Sequence, residues 1–126
     1  MLKEYCAAFI LAFTFSAVLF NIGHLNSVLK DMDEKTERAY ELACESRWEE
    51  AEEQVAEIEK IWDRNSAYVH ISLHHGETDD TAMAIYAYME DMISKDLNSA
   101  SGSYKVLSYR IESIREDESI SLKSIF

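Results

Sequence analysis

The stretch YCAAFILAFTFSAVLFNIG, residues 5–23, decides the fold, because it holds no charged side chain over 19 positions. A helix needs about 20 apolar residues to cross a hydrocarbon layer about 30 Å thick. Nine of these residues are Leu, Ile, Phe or Val, and each favours insertion by roughly 0.3–0.6 kcal/mol. The sequence therefore predicts a short N-terminal tail, residues 1–4, followed by a transmembrane helix over residues 5–24, here named the apolar segment.

Two other readings of the apolar segment compete with an anchor. A cleaved signal peptide requires a basic start, a short apolar core and a small-x-small cleavage site. Here Glu4 offsets Lys3, and the best cleavage candidate, Thr14-Phe15-Ser16, would leave a short core. A buried helix of a soluble protein is the second alternative. We expect an uncleaved anchor.

The charges that flank the apolar segment bear on its orientation. Lys3 precedes it, and three bases follow it: Lys30, Lys35 and Arg38. Counted literally, the positive-inside rule places the C-terminal domain in the cytoplasm. However, acidic residues are interleaved with those three bases, and a very short N-terminal tail is a common start for export. We expect a single-pass protein of the cell membrane, with its C-terminal domain outside the cytoplasm.

Composition favours helices throughout the rest of the chain. There is no proline and there are only three glycines in 126 residues, whereas the turns of β-rich folds depend on both. The 24 acidic and 12 basic residues give a formal net charge of −12. Lys3 and Glu4 are the only charged residues before Lys30. The excess of acidic residues therefore lies wholly after the apolar segment. Such a surface repels phosphate backbones, and we expect no nucleic-acid partner.

Apolar residues recur at spacings of three and four after the apolar segment, which indicates further helices. The first helix is expected to continue to about Cys44. A capping box at Ser46-Arg47-Trp48-Glu49 predicts the start of the second helix. Gly76 is expected to end a short third helix that begins at Ala67. Thr78-Asp79-Asp80 supplies N-cap chemistry for a fourth helix, and Asp96 for a fifth.

The predicted apolar stripes define the faces that should pack. That of the second helix is Trp48, Ala51, Val55, Ile58 and Trp62; that of the fourth is Ala82, Ile85, Tyr86, Met89, Met92 and Ile93. The acidic run EDES, residues 116–119, is expected to form a hinge before an apolar tail. Together these patterns predict an all-α fold, in which an N-terminal transmembrane helix continues into a small antiparallel helical bundle over residues 25–126.

Several short motifs, in this order, resemble one known family. They are Trp48-x-x-Ala51, Trp62, His75-x-Glu77 and the closing Leu122-Lys123-Ser124-Ile125-Phe126. The pattern is similar to a domain-of-unknown-function family of short, membrane-anchored proteins from Gram-positive bacteria, whose members end in a Leu-Lys-Asn-Ile-Phe-like tail. This chain departs from it at Ser124, in place of Asn, and at Thr78, in place of an aliphatic residue. The resemblance implies a small extracytoplasmic helical bundle without an assigned activity, which acts beside another membrane protein.

Three of the four histidines lie close together and form the first candidate site. His70 and His74 are spaced i, i+4, which places two imidazoles on one face of a helix, as zinc sites do. His75 and Glu77 follow them. The glutamate of the metalloprotease helix motif is missing between the pair, so ordinary surface or packing histidines are the first interpretation. A metal- or ligand-binding sensor domain is the alternative.

Trp48 and Trp62 are the second candidate, as a binding platform, although tryptophans at helical spacing more often fill a core. No Ser-His-Asp, Cys-His or glycine-rich phosphate motif can be placed. We therefore expect no catalytic residues, no metal and no cofactor, and a protein that is not an enzyme. The expected role is a protein-interaction or accessory module for a membrane or envelope partner.

Overall fold

The computed structural model describes residues 1–65 and 75–125, with side chains for all of these except 21, 22, 75–77 and 118–125. Four helices occupy the described residues: α1 (Leu2–Cys44), α2 (Trp48–Arg64), α3 (His75–Ile93) and α4 (Leu97–Ile125). No strand occurs among the described residues. The all-α prediction is confirmed.

The first helix is unbroken over 43 residues, a length of about 65 Å at 1.5 Å per residue. The side chains from Leu2 to Phe20 are all exposed, and Leu25 is the first buried one among the side chains that the structure describes. From there to Cys44 the same helix forms one wall of the domain. The prediction that the apolar helix continues into the bundle is confirmed.

Helices α1 to α4 form an antiparallel bundle. Each packs against two neighbours: α1 and α3 both contact α2 and α4. The connections from α1 to α2 and from α3 to α4 are only three residues long, which makes each pair antiparallel. Both short turns therefore lie at one end of the bundle, which we name the distal end. The opposite end, where α1 leaves toward the apolar segment, is the proximal end.

The core consists of one seam from each helix with alternating spacings of three and four, the pattern of knobs-into-holes packing. The buried seams are Leu25, Leu29, Met32, Thr36, Ala39 and Ala43 on α1; Ala51, Val55, Ile58 and Trp62 on α2; Thr78, Thr81, Ile85, Tyr88 and Met92 on α3; and Ala100, Leu107, Ile111 and Ile114 on α4. On α4, Tyr104 completes the spacing and packs against the core.

The predicted stripe of the fourth helix, α3 in the structure, was partly wrong. Ile85 and Met92 are buried as expected, but Tyr86 is 51% exposed and Ile93 is 54% exposed. The buried tyrosine is Tyr88. The buried seam of α3 includes two threonines, Thr78 and Thr81, which hydrophobicity does not mark. The sequence pattern therefore predicted a buried face that is rotated about the helix axis from the observed one.

A hydrogen bond joins the two helices that face each other diagonally across the bundle. The Tyr88 hydroxyl on α3 donates to the backbone carbonyl of Thr36 on α1 at 2.8 Å. The Thr36 hydroxyl in turn donates to the carbonyl of Met32 at 2.7 Å. Burial raises the pKa of Tyr88, so the phenol stays protonated and remains a donor. This contact fixes α3 against α1 within an otherwise apolar layer.

Aromatic contacts lie beside this hydrogen bond on the distal side. The rings of Tyr40 and Tyr104 stack with centroids 4.7 Å apart, and the Tyr88 ring is tilted against Tyr104 at 6.5 Å. Stacked and tilted aromatic pairs stabilise packing beyond their buried area, by about 0.5–1.5 kcal/mol. The three tyrosines therefore hold α1, α3 and α4 together at the same height along the bundle.

The two distal turns use the same backbone device. Ser46 and Lys95 both adopt left-handed conformations, with φ of 63° and 56°. In each turn, the amide of the residue after the left-handed one donates to a carbonyl five residues earlier. Arg47 N–H donates to the Leu42 carbonyl at 2.9 Å, and Asp96 N–H donates to the Asp91 carbonyl at 3.1 Å. This is the Schellman pattern of helix ends.

Two of the predicted helix starts had different outcomes. Asp96 caps α4 as expected, because its Oδ1 accepts a hydrogen bond from the Ser99 amide at 3.2 Å. The capping box at Ser46 was wrong. The N-cap of α2 is Arg47, which makes no side-chain cap hydrogen bond, since Ser46 is used for the left-handed turn.

Three further boundaries differ from expectation. Gly76 does not end a helix but lies in the first turn of α3, which begins at His75, before Thr78. The preceding residues of the predicted third helix, 67–74, lie outside the described residues. The hinge at residues 116–119 was also wrong, because α4 continues through it. Glu and Asp in an exposed helix do not break it when neither Gly nor Pro is present.

We predict that Tyr88→Phe lowers the free energy of unfolding of the bundle by about 1 kcal/mol, because the hydrogen bond to the Thr36 carbonyl is lost without a change in shape. Urea unfolding of the full chain in detergent micelles, followed by tryptophan fluorescence, measures this. Tyr86→Phe is the matched control on the same helix and should change little. Equal effects of the two substitutions would contradict the placement of Tyr88.

We predict that Ser46→Gly and Lys95→Gly each stabilise the bundle by about 0.5–1 kcal/mol, because glycine adopts a left-handed conformation without steric cost. The same unfolding measurement applies. Glu45→Gly is the control, since φ of Glu45 is −86° and glycine brings no relief there. If Glu45→Gly stabilised the bundle as much as Ser46→Gly, the left-handed turns would not be strained.

Candidate functional site

The apolar half of α1 is the most unusual surface of the described chain. It exposes large side chains around its whole circumference, among them Phe9, Leu11, Phe13 and Phe20, each at least 70% exposed. Its most apolar 18-residue window has a mean hydropathy of 2.0, and none of that window is buried. Soluble monomers rarely expose an apolar patch larger than a few hundred Å². An exposed apolar surface of this kind favours contact with an apolar environment.

The polar groups within this half are compatible with such an environment. The Thr14 hydroxyl donates to the Ile10 carbonyl at 2.8 Å, so it is satisfied inside the helix. The backbone amides and carbonyls are satisfied by the helix itself, which a hydrocarbon layer demands. The helix is thus long and apolar enough to cross a membrane.

The boundary between the apolar segment and the bundle is marked by a contact between helices. His24 on α1 lies 3.0 Å from the side-chain oxygen of Asn65, the residue that follows α2. Leu25, the next residue, and Leu29, about one helical turn later, are buried in the core. The end of α2 is therefore tied to α1 at the level where the apolar segment ends. Sequence reasoning missed this pair, because nothing local links residues 41 positions apart.

The candidate residues from the sequence are not gathered into one place. Trp62 is buried in the core, whereas Trp48 is half-buried at the start of α2. Those two positions are at opposite ends of α2. His75 and Glu77 lie in the first turn of α3, while His70 and His74 lie outside the described residues. The metal- or ligand-binding interpretation of the histidines stays a prediction.

The distal end carries a shallow surface pocket of about 420 Å³, lined by Ser46, Arg47, Trp48, Glu49, Glu50 and Lys95. Arg47 donates to Glu45 at 3.0 Å and also to Glu50. These hydrogen bonds raise the pKa of Arg47 and lower that of Glu50, so both stay charged. The pocket is a salt-bridged surface between the two turns.

One carboxyl lies in the interface between α1 and α4. Burial raises the pKa of Asp33, and Glu112 and Glu34 add to the rise, while Arg115 on α4 opposes it. A raised pKa in the folded state means that ionisation of Asp33 works against folding. The stabilising contribution is complete below the ordinary Asp pKa and is lost as the pH rises through the folded value.

We predict that Asp33→Asn makes the bundle more stable than the natural chain at neutral pH, because the amide carries no charge to desolvate. The difference should shrink as the pH falls through the raised pKa of Asp33 and should be absent below about 3.9, the ordinary pKa of Asp. Thermal unfolding of the two proteins from pH 3 to pH 8 measures this. Asp31→Asn is the control, since it removes only the partly exposed ion pair with Lys35 within α1, and such i, i+4 pairs contribute less than about 1 kcal/mol. Lower stability of Asp33→Asn at neutral pH would contradict the assignment.

The profile of one family, described as a domain of unknown function (DUF4363), matches residues 19–125. The chain belongs to this family. The match covers the whole bundle and only the last residues of the apolar segment. No curated protein and no solved structure matches the chain.

Membership of DUF4363 confirms the family resemblance that the sequence motifs indicated. The family description assigns no activity, so it adds no role for any residue. The Gram-positive origin and the individual motifs stay predictions. The region that the family matches agrees with the domain seen in the structure. It begins where the apolar helix approaches the bundle and ends where α4 ends.

Proposed function

We propose that this DUF4363 protein is a single-pass membrane protein without catalytic activity, whose helical bundle is held outside the cytoplasm to bind another membrane or envelope protein. The observation that carries the proposal is the structure of α1. None of the side chains described in its apolar half is buried, and its other half is a wall of the bundle.

Insertion of the apolar segment is supported by simple energetics. Nine Leu, Ile, Phe and Val residues favour insertion by roughly 3–5 kcal/mol in total. Thr14 does not oppose it strongly, because its hydroxyl is already hydrogen-bonded within the helix. The charged residues Lys3 and Glu4 precede the segment, and the next charge is Lys30.

The continuity of α1 supports a positioning role for the anchor. A helix that passes from the membrane into a bundle without a break holds that bundle at a fixed height, unlike a flexible linker. Exposed apolar side chains on the bundle, including Met83, Tyr86, Val106 and Tyr109, offer contact area to a protein partner. The net charge of −12 favours partners with a basic surface.

The anchor is tested by fractionating membranes from cells that express the full chain. We expect the natural protein in the membrane fraction after alkaline extraction, with its N-terminal residues intact. The double variant Leu11→Arg/Phe13→Arg should move to the soluble fraction, because each arginine costs about 2.5–3.5 kcal/mol at the centre of a membrane helix. Both positions are exposed, so the bundle should be unaffected.

The matched control places two arginines on the bundle instead. Val106→Arg/Tyr109→Arg adds the same charge at positions that are 52% and 68% exposed, and it should stay with the membrane. Intact natural protein in the soluble fraction would contradict the proposal. A processed protein that lacks its first residues would show that the segment is a signal peptide.

The side of the membrane is tested with the natural cysteine at the distal end. Cys44 is exposed, and it lies beside the first turn of the bundle. In a Cys6→Ser background, a membrane-impermeant maleimide should label Cys44 in intact cells if the bundle is extracytoplasmic. Cys44→Ser gives the background signal. Labelling only after the cells are opened would place the bundle in the cytoplasm.

The partner is tested by photocrosslinking from the bundle surface in intact membranes. A photoreactive amino acid at Tyr86 or Tyr109, both exposed, should give a discrete protein adduct. The same amino acid at Phe13 should label lipid. Adducts with lipid alone at all three positions would count against an interaction module.

A further inference from the structure

A second contact with the membrane follows from the length and register of α4. This helix is antiparallel to α1, with Tyr104 stacked on Tyr40 and the charge of Arg115 acting on Asp33. Ile125 lies ten residues beyond Arg115, and Gly23 lies ten residues before Asp33. Both helices advance about 15 Å over ten residues. The end of α4 therefore lies level with Gly23, where the apolar segment ends.

The last turns of α4 also extend past the end of α3. Asp80 on α3 lies 3.6 Å from Arg110 on α4, and α3 begins at His75, five residues before Asp80. The start of α3 is thus level with about residue 115 of α4. From there to Ile125, α4 runs on toward the proximal end without α3 as a neighbour.

The charge pattern changes where α4 passes this level. The chain has 24 acidic residues, yet none lies in residues 119–126 and none lies in residues 5–30 of α1. Residues 119–125 contain Ile120, Leu122 and Ile125, with Lys123 as their single charge. On α2, the acidic residue nearest to the proximal end is Asp63, which is followed by the basic residue Arg64. The distal half of α4, residues 97–111, also lacks acids, so the feature that distinguishes residues 119–125 is their position. They lie at the same proximal level as residues 23–29 of α1, and both stretches are free of acids there.

We propose that residues 119–125 of α4 rest in the headgroup region of the same membrane that α1 enters. The proposal rests on the membrane anchoring proposed above. Apolar side chains gain free energy when they enter the boundary between headgroups and acyl chains, which is about 5–10 Å deep. Acidic side chains there would be repelled by anionic lipids, whereas one lysine is attracted. The contact would fix the tilt of the bundle, because the domain then meets the membrane at two helices.

The experiment measures the depth of a fluorescent label in the full chain. In a Cys6→Ser/Cys44→Ser background, a single cysteine replaces Leu122 (Leu122→Cys) and carries the polarity-sensitive fluorophore NBD. The protein is placed in vesicles of phosphatidylcholine and phosphatidylglycerol, with nitroxide lipids at shallow or deep acyl positions. We expect blue-shifted emission that the shallow nitroxide quenches and that soluble iodide does not. Ser124→Cys gives a second label in the same turns, should Leu122→Cys disturb folding.

Two control labels separate failure of this inference from failure of the anchor. Phe13→Cys should be quenched by the deep nitroxide, and Tyr109→Cys, on the bundle, should be quenched by iodide. A tail label that behaves like the Tyr109 label, beside a Phe13 label in lipid, would overturn the inference and leave the anchor standing. A blue-shifted tail label that no nitroxide quenches would place the tail against protein and also overturn it. A Phe13 label outside lipid would overturn both proposals.

Discussion

The continuity of α1 is the constraint on which the rest of the structure depends. One ladder of backbone hydrogen bonds carries the chain from the exposed apolar segment into the core, with the change from fully exposed to buried side chains at Leu25. No proline occurs in the chain, so nothing removes a donor from this ladder. The height and direction of the bundle are consequently set by a single helix, and the three other helices are arranged around it.

Within the bundle, apolar seams provide most of the stabilisation, and a few polar contacts select one arrangement. Apolar seams alone would tolerate rotation and sliding of the helices. The hydrogen bond from Tyr88 to the Thr36 carbonyl spans the diagonal, and the Tyr40–Tyr104 stack sets the level of α4 against α1. The two left-handed turns at Ser46 and Lys95 fix where each antiparallel pair reverses. Together these contacts determine the register from which the level of the end of α4 follows.

The sequence predicted the fold class and the long first helix because both depend on features that repeat over many residues. A misreading of one residue does not hide 19 uncharged positions or a repeated spacing of three and four. The predicted boundaries of single helices were less accurate. Ser46 had the chemistry of a cap but serves a left-handed turn, and residues 116–119 had the composition of a hinge but continue α4. The conformation of Ser46 is decided by the reversal of the chain between α1 and α2. Residues 116–119 contain neither Gly nor Pro, and they continue the helix.

By itself, the sequence determined that an uncharged helix precedes an acidic all-helical domain, because charge and hydrophobic period are properties of the chain. Tertiary structure decided which face of each helix is buried. Tyr88 rather than Tyr86 enters the core, since Thr78 and Thr81 occupy seam positions that hydrophobicity does not mark. It also decided that His24 meets Asn65 and that the charge of Arg115 acts on Asp33. Such pairs join positions far apart along the chain, and their interaction depends on the packing of whole helices.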